Sequence, residues 1–317
     1  MAETVRQQGD WLLVCENHGH CTITGVPLPS VMPGYPRALV TIWRENRPGY
    51  PLMLAMRLIN EDGSHNGTVE GLELGATPMG GSMASLRLDP TIASPHGDVI
   101  MPENAEGTIG VLADERPGLL LHGFGAVGAV PQGDLADLLE RMDRAQPQVA
   151  EPIGPEIEDP PAPEPYRYTL FPRDRVDGPV THPDFVRLCR RASYSHANGY
   201  ALDHTTVPTL LVLLSCGGRD YLYTWYPSGN APPAPLDLPR QRDPRFRRME
   251  ASFDPDLGVL TLLDHPIGSR DCGLRHRFGW VDGEGWVLLS RQTMPRCVAI
   301  LPEDWPVHFM ADGWGAG

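Results

Sequence analysis

Six cysteines fall along the chain as three neighbouring pairs: Cys15 with Cys21, Cys189 with Cys216, and Cys272 with Cys297. Fifteen connectivities are possible, so spacing alone does not choose among them. Geometry favours the simplest set. Cys15 and Cys21 can meet across a short hairpin, Cys189 faces a core from a helix while Cys216 ends a buried strand, and Cys272 and Cys297 flank the last hairpin. Each bridge would contribute about 2–4 kcal/mol, the short first loop least.

The first pair encloses Cys15-Glu16-Asn17-His18-Gly19-His20-Cys21, with two histidines inside the loop. A zinc site would use Cys15, His18, His20 and Cys21. Tetrahedral sites usually join two separated ligand pairs, and four ligands in seven residues are cramped. A disulfide is the favoured reading; a metal site at His18 and His20 and a redox pair are the alternatives. No cofactor is expected.

The chain has 317 residues, room for two domains with their own cores. A formal charge of -14 argues against nucleic acid, whose phosphates need a basic face. All 26 basic residues are arginine, which excludes lysine Schiff-base chemistry and the P-loop. No apolar run approaches the ~18 residues of a membrane span, and the longest, Thr209 to Cys216, suits a buried strand. The opening Met1-Ala2-Glu3-Thr4-Val5 lacks the basic and apolar regions of a signal peptide. A cytosolic chain fits that opening, as does a mature secreted chain given a start methionine, and the cysteines favour the second.

Residues 147–166 form an acidic proline-rich stretch that cannot bury enough apolar surface to order itself. It reads as a linker between residues 1–146 and 167–317. In the first half, Trp11 to Val14 and Thr22 to Thr24 flank the cysteine loop as a hairpin. Ala38 to Arg44 and Pro51 to Ile59 are strands joined by a Pro-Gly turn. A helix capped by Asp134 carries Leu135, Leu138, Leu139 and Met142 on one face. In the second half, Thr181 and Asp184 resemble a capping box, Phe185, Leu188, Cys189 and Ala192 form one helical stripe, and Asn198-Gly199 can end it. Strands follow at Thr209 to Ser215, Tyr221 to Tyr226 and Gly258 to Leu263. The last pair, Arg277 to Val281 and Trp286 to Ser290, is joined by a Gly-rich turn. The expected fold class is α+β, mainly antiparallel β: two β-rich domains, each with one or two helices, stapled by disulfides.

Several segments resemble the bacterial proteins grouped as domain of unknown function family 1176. Trp11-Leu12-Leu13-Val14-Cys15-Glu16-Asn17 through Cys21 resembles that family's opening. Cys216 with Tyr221 resembles its central cysteine motif, although Arg219, Asp220 and Leu222 stand where the family usually has glycine, alanine and asparagine. Gly268-Ser269-Arg270-Asp271-Cys272-Gly273 resembles its Gly-x-Gly-Asp-Cys-Gly segment, and Met294 to Cys297 with Asp304-Trp305-Pro306 its ending. The resemblance implies six recurring cysteines, a cleaved leader and a periplasmic home; it implies no activity and no catalytic residue. A fainter resemblance of the opening is to the invasion-associated locus B proteins, which are small and secreted.

Catalytic motifs are sparse. Gly123-Phe124-Gly125-Ala126-Val127-Gly128 matches G-x-G-x-x-G, but Pro131 and Gly133 interrupt the helix it would open, so a glycine-rich turn is expected. Gly81-Ser82-Met83-Ala84 lacks the closing glycine of a nucleophile elbow. Ser195, His196, His204 and Asp271 offer triad residue types, and Asp271 beside Cys272 suits an acid that accepts turn N–H bonds. Tyr221, Tyr223 and Trp225 alternate along a strand as either core or a ligand surface. Asn66-Gly67-Thr68 reads as a turn. The leading expectation is a periplasmic or secreted, disulfide-stabilised, non-catalytic binding module whose partner is an envelope protein or a glycan. The alternative is a hydrolase using an Asp/His/Ser set in the second half, and a cytosolic metal or redox protein comes third.

Overall fold

The computed structural model describes residues 4–28, 36–44, 51–64, 72–76, 85–88, 104–114, 119–123, 126–146, 178–179, 183–189, 194–202, 209–225, 232–236, 238–240, 243–281 and 285–311. The linker 147–166, Gly81 to Ala84, the Asn66 sequon and His204 lie outside them. Contacts divide the chain into two compact units, Met1–Glu158 with Thr293–Phe309 and Asp159–Gln292 with Met310–Gly317. Described ladders are antiparallel except for a single parallel pair, Arg37 with Ala129.

In the first unit the strands are β1 (Thr4–Gln8), β2 (Trp11–Cys15), β3 (Cys21–Gly25), β4 (Arg37–Arg44), β5 (Met53–Ile59), β6 (Leu72–Ala76), β7 (Ser85–Leu88), β8 (Leu119–Gly123) and β9 (Ala126–Ala129). They order as β1-β2-β3-β4-β9-β8-β6-β7, with β5 also on β4. Alternation along β2 to β5 sends Trp11, Leu13, Ile23, Val40, Ile42, Leu54 and Met56 to one face. There they pack against α1 (Ala105–Ala113) and α2 (Leu135–Ala145) through Ile109, Leu112, Leu135, Leu138 and Met142. Asp134 caps α2 as its spacing predicts, its carboxylate accepting from Asp137 N at 2.8 Å. Gly9 (φ +58°) and Gly133 (φ +127°) meet where a Cβ on Gly9 would lie 2.6 Å from the Gln132 carbonyl. The fingerprint-like glycines open no helix: Gly123 ends β8 and pairs with Ala126 of β9.

Residues 293–309 are held in this unit by arginines. Buried Arg37 donates to the carbonyls of Pro27 (3.0 Å), Asn60 (3.1 Å) and Ala299 (2.9 Å). Arg57 meets Asp304 at 2.9 Å and Arg296 meets Asp10 at 3.2 Å.

The second sheet orders β10 (Gly178–Pro179), β11 (Tyr194–Leu202), β12 (Thr209–Cys216), β13 (Arg219–Trp225) and β14 (Ala234–Pro235). The third orders β15 (Arg248–Asp254), β16 (Val259–His265), β17 (Gly273–Val281), β18 (Gly285–Met294) and β19 (Val307–Met310), the last after a 3-10 turn at Pro302–Asp304. The apolar run of β12 is buried on both faces. Leu211 and Leu213 join Met249, Phe253, Leu260, Leu262, Phe278 and Trp286 of the third sheet. Leu210, Val212 and Leu214 join Phe185 and Cys189 of the segment holding α3 (Pro183–Leu188). Such a strand needs partners on both edges, and that corrects the helix expected to end at Asn198-Gly199. α3 stops at Leu188, and Asn198 and Gly199 sit mid-strand, opposite Leu213 and Val212. Tertiary pairing there overrides a local helical stripe.

No described cysteine is free. Cys15 bonds Cys21 and Cys189 bonds Cys216. Cys272 and Cys297 are also disulfide-bonded. The structure is therefore mainly antiparallel β with three disulfides, as its sequence leads one to expect. Among the described residues no helix is long and apolar enough to cross a membrane.

Candidate functional site

The Cys15–Cys21 hairpin is packed shut. Its cysteines are directly opposed, with Cα atoms 4.1 Å apart. Glu16 N donates to the His20 carbonyl at 2.9 Å, and Gly19 N to the Glu16 carbonyl at 3.0 Å. Buried Gln146 closes the loop from α2, its amide donating to the Gly19 and Arg44 carbonyls at 2.5 and 3.1 Å. Glu16 is buried, which pushes its carboxyl above the usual range against the opposing pull of His20 and His18. Asn17 Nδ2 lies 3.1 Å from Nε2 of half-buried His18, and His20 is exposed. The four-ligand zinc set fails on chemistry, because two sulfurs bonded to each other offer no thiolate.

The described hydrolase candidates are divided between separate elements. Ser195 and His196 are neighbours on β11, whose register shifts between Tyr194 and His196. Half-buried Asp271 lies between β16 and β17 of the third sheet. The ladder instead places His196 opposite Ser215, and Ser215 opposite Asp220. Ser215 Oγ donates to Asp220 Oδ1, and Ala251 N donates to Asp220 Oδ2 at 2.8 Å. The serine proton thus points to a carboxylate that joins two sheets rather than to an imidazole. This row fastens the sandwich and does not make a nucleophile.

Beside Asp220 a cleft of about 420 Å³ opens along the outer edge of β13. Leu222, Leu236, Leu238 and Met249 line it, as do Tyr221 and Tyr223, two of the three aromatic candidates. Trp225 does not; its ring packs edge-on against Phe185, centroids 5.9 Å apart. The polar lining is Arg219, Asp220 and Arg240. The opening has a local cause. β14 pairs only with Tyr223 and Thr224, and Leu236 N donates to the Leu222 carbonyl at 2.9 Å. Pro232, Pro233, Pro235 and Pro239 have no N–H with which to extend that ladder, so among the described residues the pairing covers Leu222 to Thr224 and stops short of the Arg219–Tyr221 end of the strand.

A buried ion pair braces the cleft wall. Arg240 grips Asp264 with Nη1 at 2.9 and 2.7 Å from its two oxygens, both side chains almost fully buried. Behind them His276 is fully buried, with Nδ1 3.9 Å from Asp264 Oδ2 and its ring stacked on Phe278. Burial first, then Arg240 and Arg291, lower its pKa to about 3, so it is neutral at ordinary pH. Two signals for this site stand unused in the sequence: the prolines at 232–239 and the run Arg240 to Arg248, with five arginines and one aspartate.

The chain matches the family of proteins of unknown function DUF1176 over residues 141–312, more than half its length. It belongs to that family. The DUF1176 match takes in Cys189, Cys216, Cys272, Cys297 and every cleft residue, whereas the Trp11 to Cys21 opening precedes it. No match to the invasion-associated locus B proteins accompanies it. No curated protein and no solved structure matches the chain.

Proposed function

We propose that this DUF1176 protein works outside the cytoplasm, in the periplasm or secreted, and binds an envelope protein or glycan in the β13 cleft without turning it over. Three disulfides support the compartment, since such bonds persist under oxidising conditions. The carrying observation is the cleft itself, within the roughly 300–1,000 Å³ range of ligand sites, with Tyr221 and Tyr223 in its lining. Beside it, Ser215 and Asp220 are committed to each other and to Ala251. The segment 147–166 is read as the linker between domains 1–146 and 167–317; the first compact unit breaks within it, at Glu158, and also takes in residues 293–309.

Immobilised full chain and its Pro235→Trp variant test this reading, Pro235 being exposed within the cleft, where tryptophan would fill it. Capture of an envelope component by the parent and loss of it in the variant is the expected result. Equal capture by both proteins, or clear turnover in a hydrolase screen, overturns the reading.

A further inference from the structure

The cleft lies against a concentration of positive charge in a chain whose net charge is -14. Exposed Arg219 lines it, held with its guanidinium carbon 5.4 Å from the centre of the Tyr221 ring. Arg248 donates to the carbonyls of Gly217 (3.1 Å) and Gly218, the residues just before Arg219. Arg247 is exposed, two residues before Met249 of the cleft lining. Arg240 is neutralised by Asp264, and Arg245 by Asp243 at 2.6 Å. Among the described residues, Arg219, Arg247 and Arg248 have no acidic partner, and Asp220 is the one acid in the cleft lining. Two of these cations are held in place by a ring and by turn carbonyls, so little entropy is lost when they meet an anion.

Resting on the binding reading above, we infer that the cleft takes an acidic glycan, a saccharide whose sugar carboxylates meet Arg219 and Arg247. A pyranose has apolar C–H faces and hydroxyl edges. The cleft offers both, with half-buried Tyr221 and Leu236 for a face and the Arg219 guanidinium for an edge. An acidic protein fits less well for two reasons. Residues of one parity point outward along β13, and with Leu222 and Thr224 already used, Asp220 alone is left for strand addition. A flat interface would need an apolar patch, yet the exposed large hydrophobics among the described residues are Leu28, Leu257 and Ile267, none in the cleft.

Calorimetric titration of the full chain with hexagalacturonate, maltohexaose and hexaglutamate tests this inference. Hexagalacturonate binds, and its affinity falls as salt rises, because screened charges attract less. The neutral sugar and the acidic peptide bind at least about tenfold more weakly. Arg219→Gln and Arg247→Gln each weaken hexagalacturonate about three- to tenfold, about 1 kcal/mol per charge-assisted contact. Both residues are exposed, so the variants fold. Equal binding of maltohexaose, equal or tighter binding of hexaglutamate, indifference to both substitutions, or no binding of hexagalacturonate each overturns the inference. Envelope capture that Pro235→Trp abolishes while the arginine variants retain it sinks the acidic ligand and leaves the binding reading standing.

Discussion

In the β2–β3 hairpin, Cys15 stands opposite Cys21 and bonds across the ladder. In β12–β13, Cys216 stands opposite Arg219 and bonds away, to Cys189 just beyond α3. The consequences diverge from that one choice. The first hairpin spends its sulfur on itself and is plugged by Gln146, with Glu16 sealed inside. The second is anchored through its helix-facing side, which frees the position opposite the cysteine for a cation and the outer edge for a cleft. A disulfide thus shapes function by where it points as much as by how tightly it closes a loop.

Removing the outward-pointing bridge should cost most. The Cys189→Ala/Cys216→Ala pair opens a 27-residue separation, worth about 3.5 kcal/mol on the loop-closure model, and unpacks Phe185 and Trp225. Urea unfolding with unchanged slope measures it; a loss below that of the first hairpin would break the comparison.

Next in size is acid sensitivity of the cleft wall. His276 has a folded pKa of about 3 against an ordinary 6.5, so the unfolded chain takes up the proton first. Stability is full above about pH 6.5 and falls with pH, by about 3 kcal/mol between pH 7 and pH 4. Glu16 has the opposite sign: its raised pKa makes the folded state less favourable as pH climbs through the carboxylate range. Unfolding of the parent and His276→Phe across pH separates the two, and a variant that keeps the full acid slope would remove His276 as its source.

The smallest effect belongs to Cys15→Ala/Cys21→Ala. Its separation of 6 gives about 2 kcal/mol by the same model, and the five-pair ladder around it persists. Capture through the cleft should be unchanged in this variant, whereas the Cys189/Cys216 pair should weaken it.

Much of the fold is legible in local pattern. The β2–β3 hairpin, β4 and β5, the Asp134-capped α2 and the doubly buried β12 follow from alternation, capping and an unbroken apolar run. The stripe Phe185, Leu188, Cys189 and Ala192 points to a helix that α3 bears out at Phe185 and Leu188, but not to its end, because β11 takes Asn198 and Gly199 for strand pairing. α1 carries too little amphipathic contrast to stand out, and β6 to β9 are too short and glycine-rich.

The candidate site divides the same way. Tyr221 and Tyr223 could be named from alternation, and the prolines and arginines of 232–248 were present to be weighed. Composition, cysteine spacing and periodicity determined an acidic, antiparallel, disulfide-stapled chain, since these depend on each residue and its near neighbours. Only tertiary structure decided that Asp220 binds Ser215 and Ala251, that Arg240 is spent on Asp264, and that a cleft forms beside β13. Those contacts join residues from 5 to 31 positions apart, brought together by sheet register and packing that local propensity does not encode.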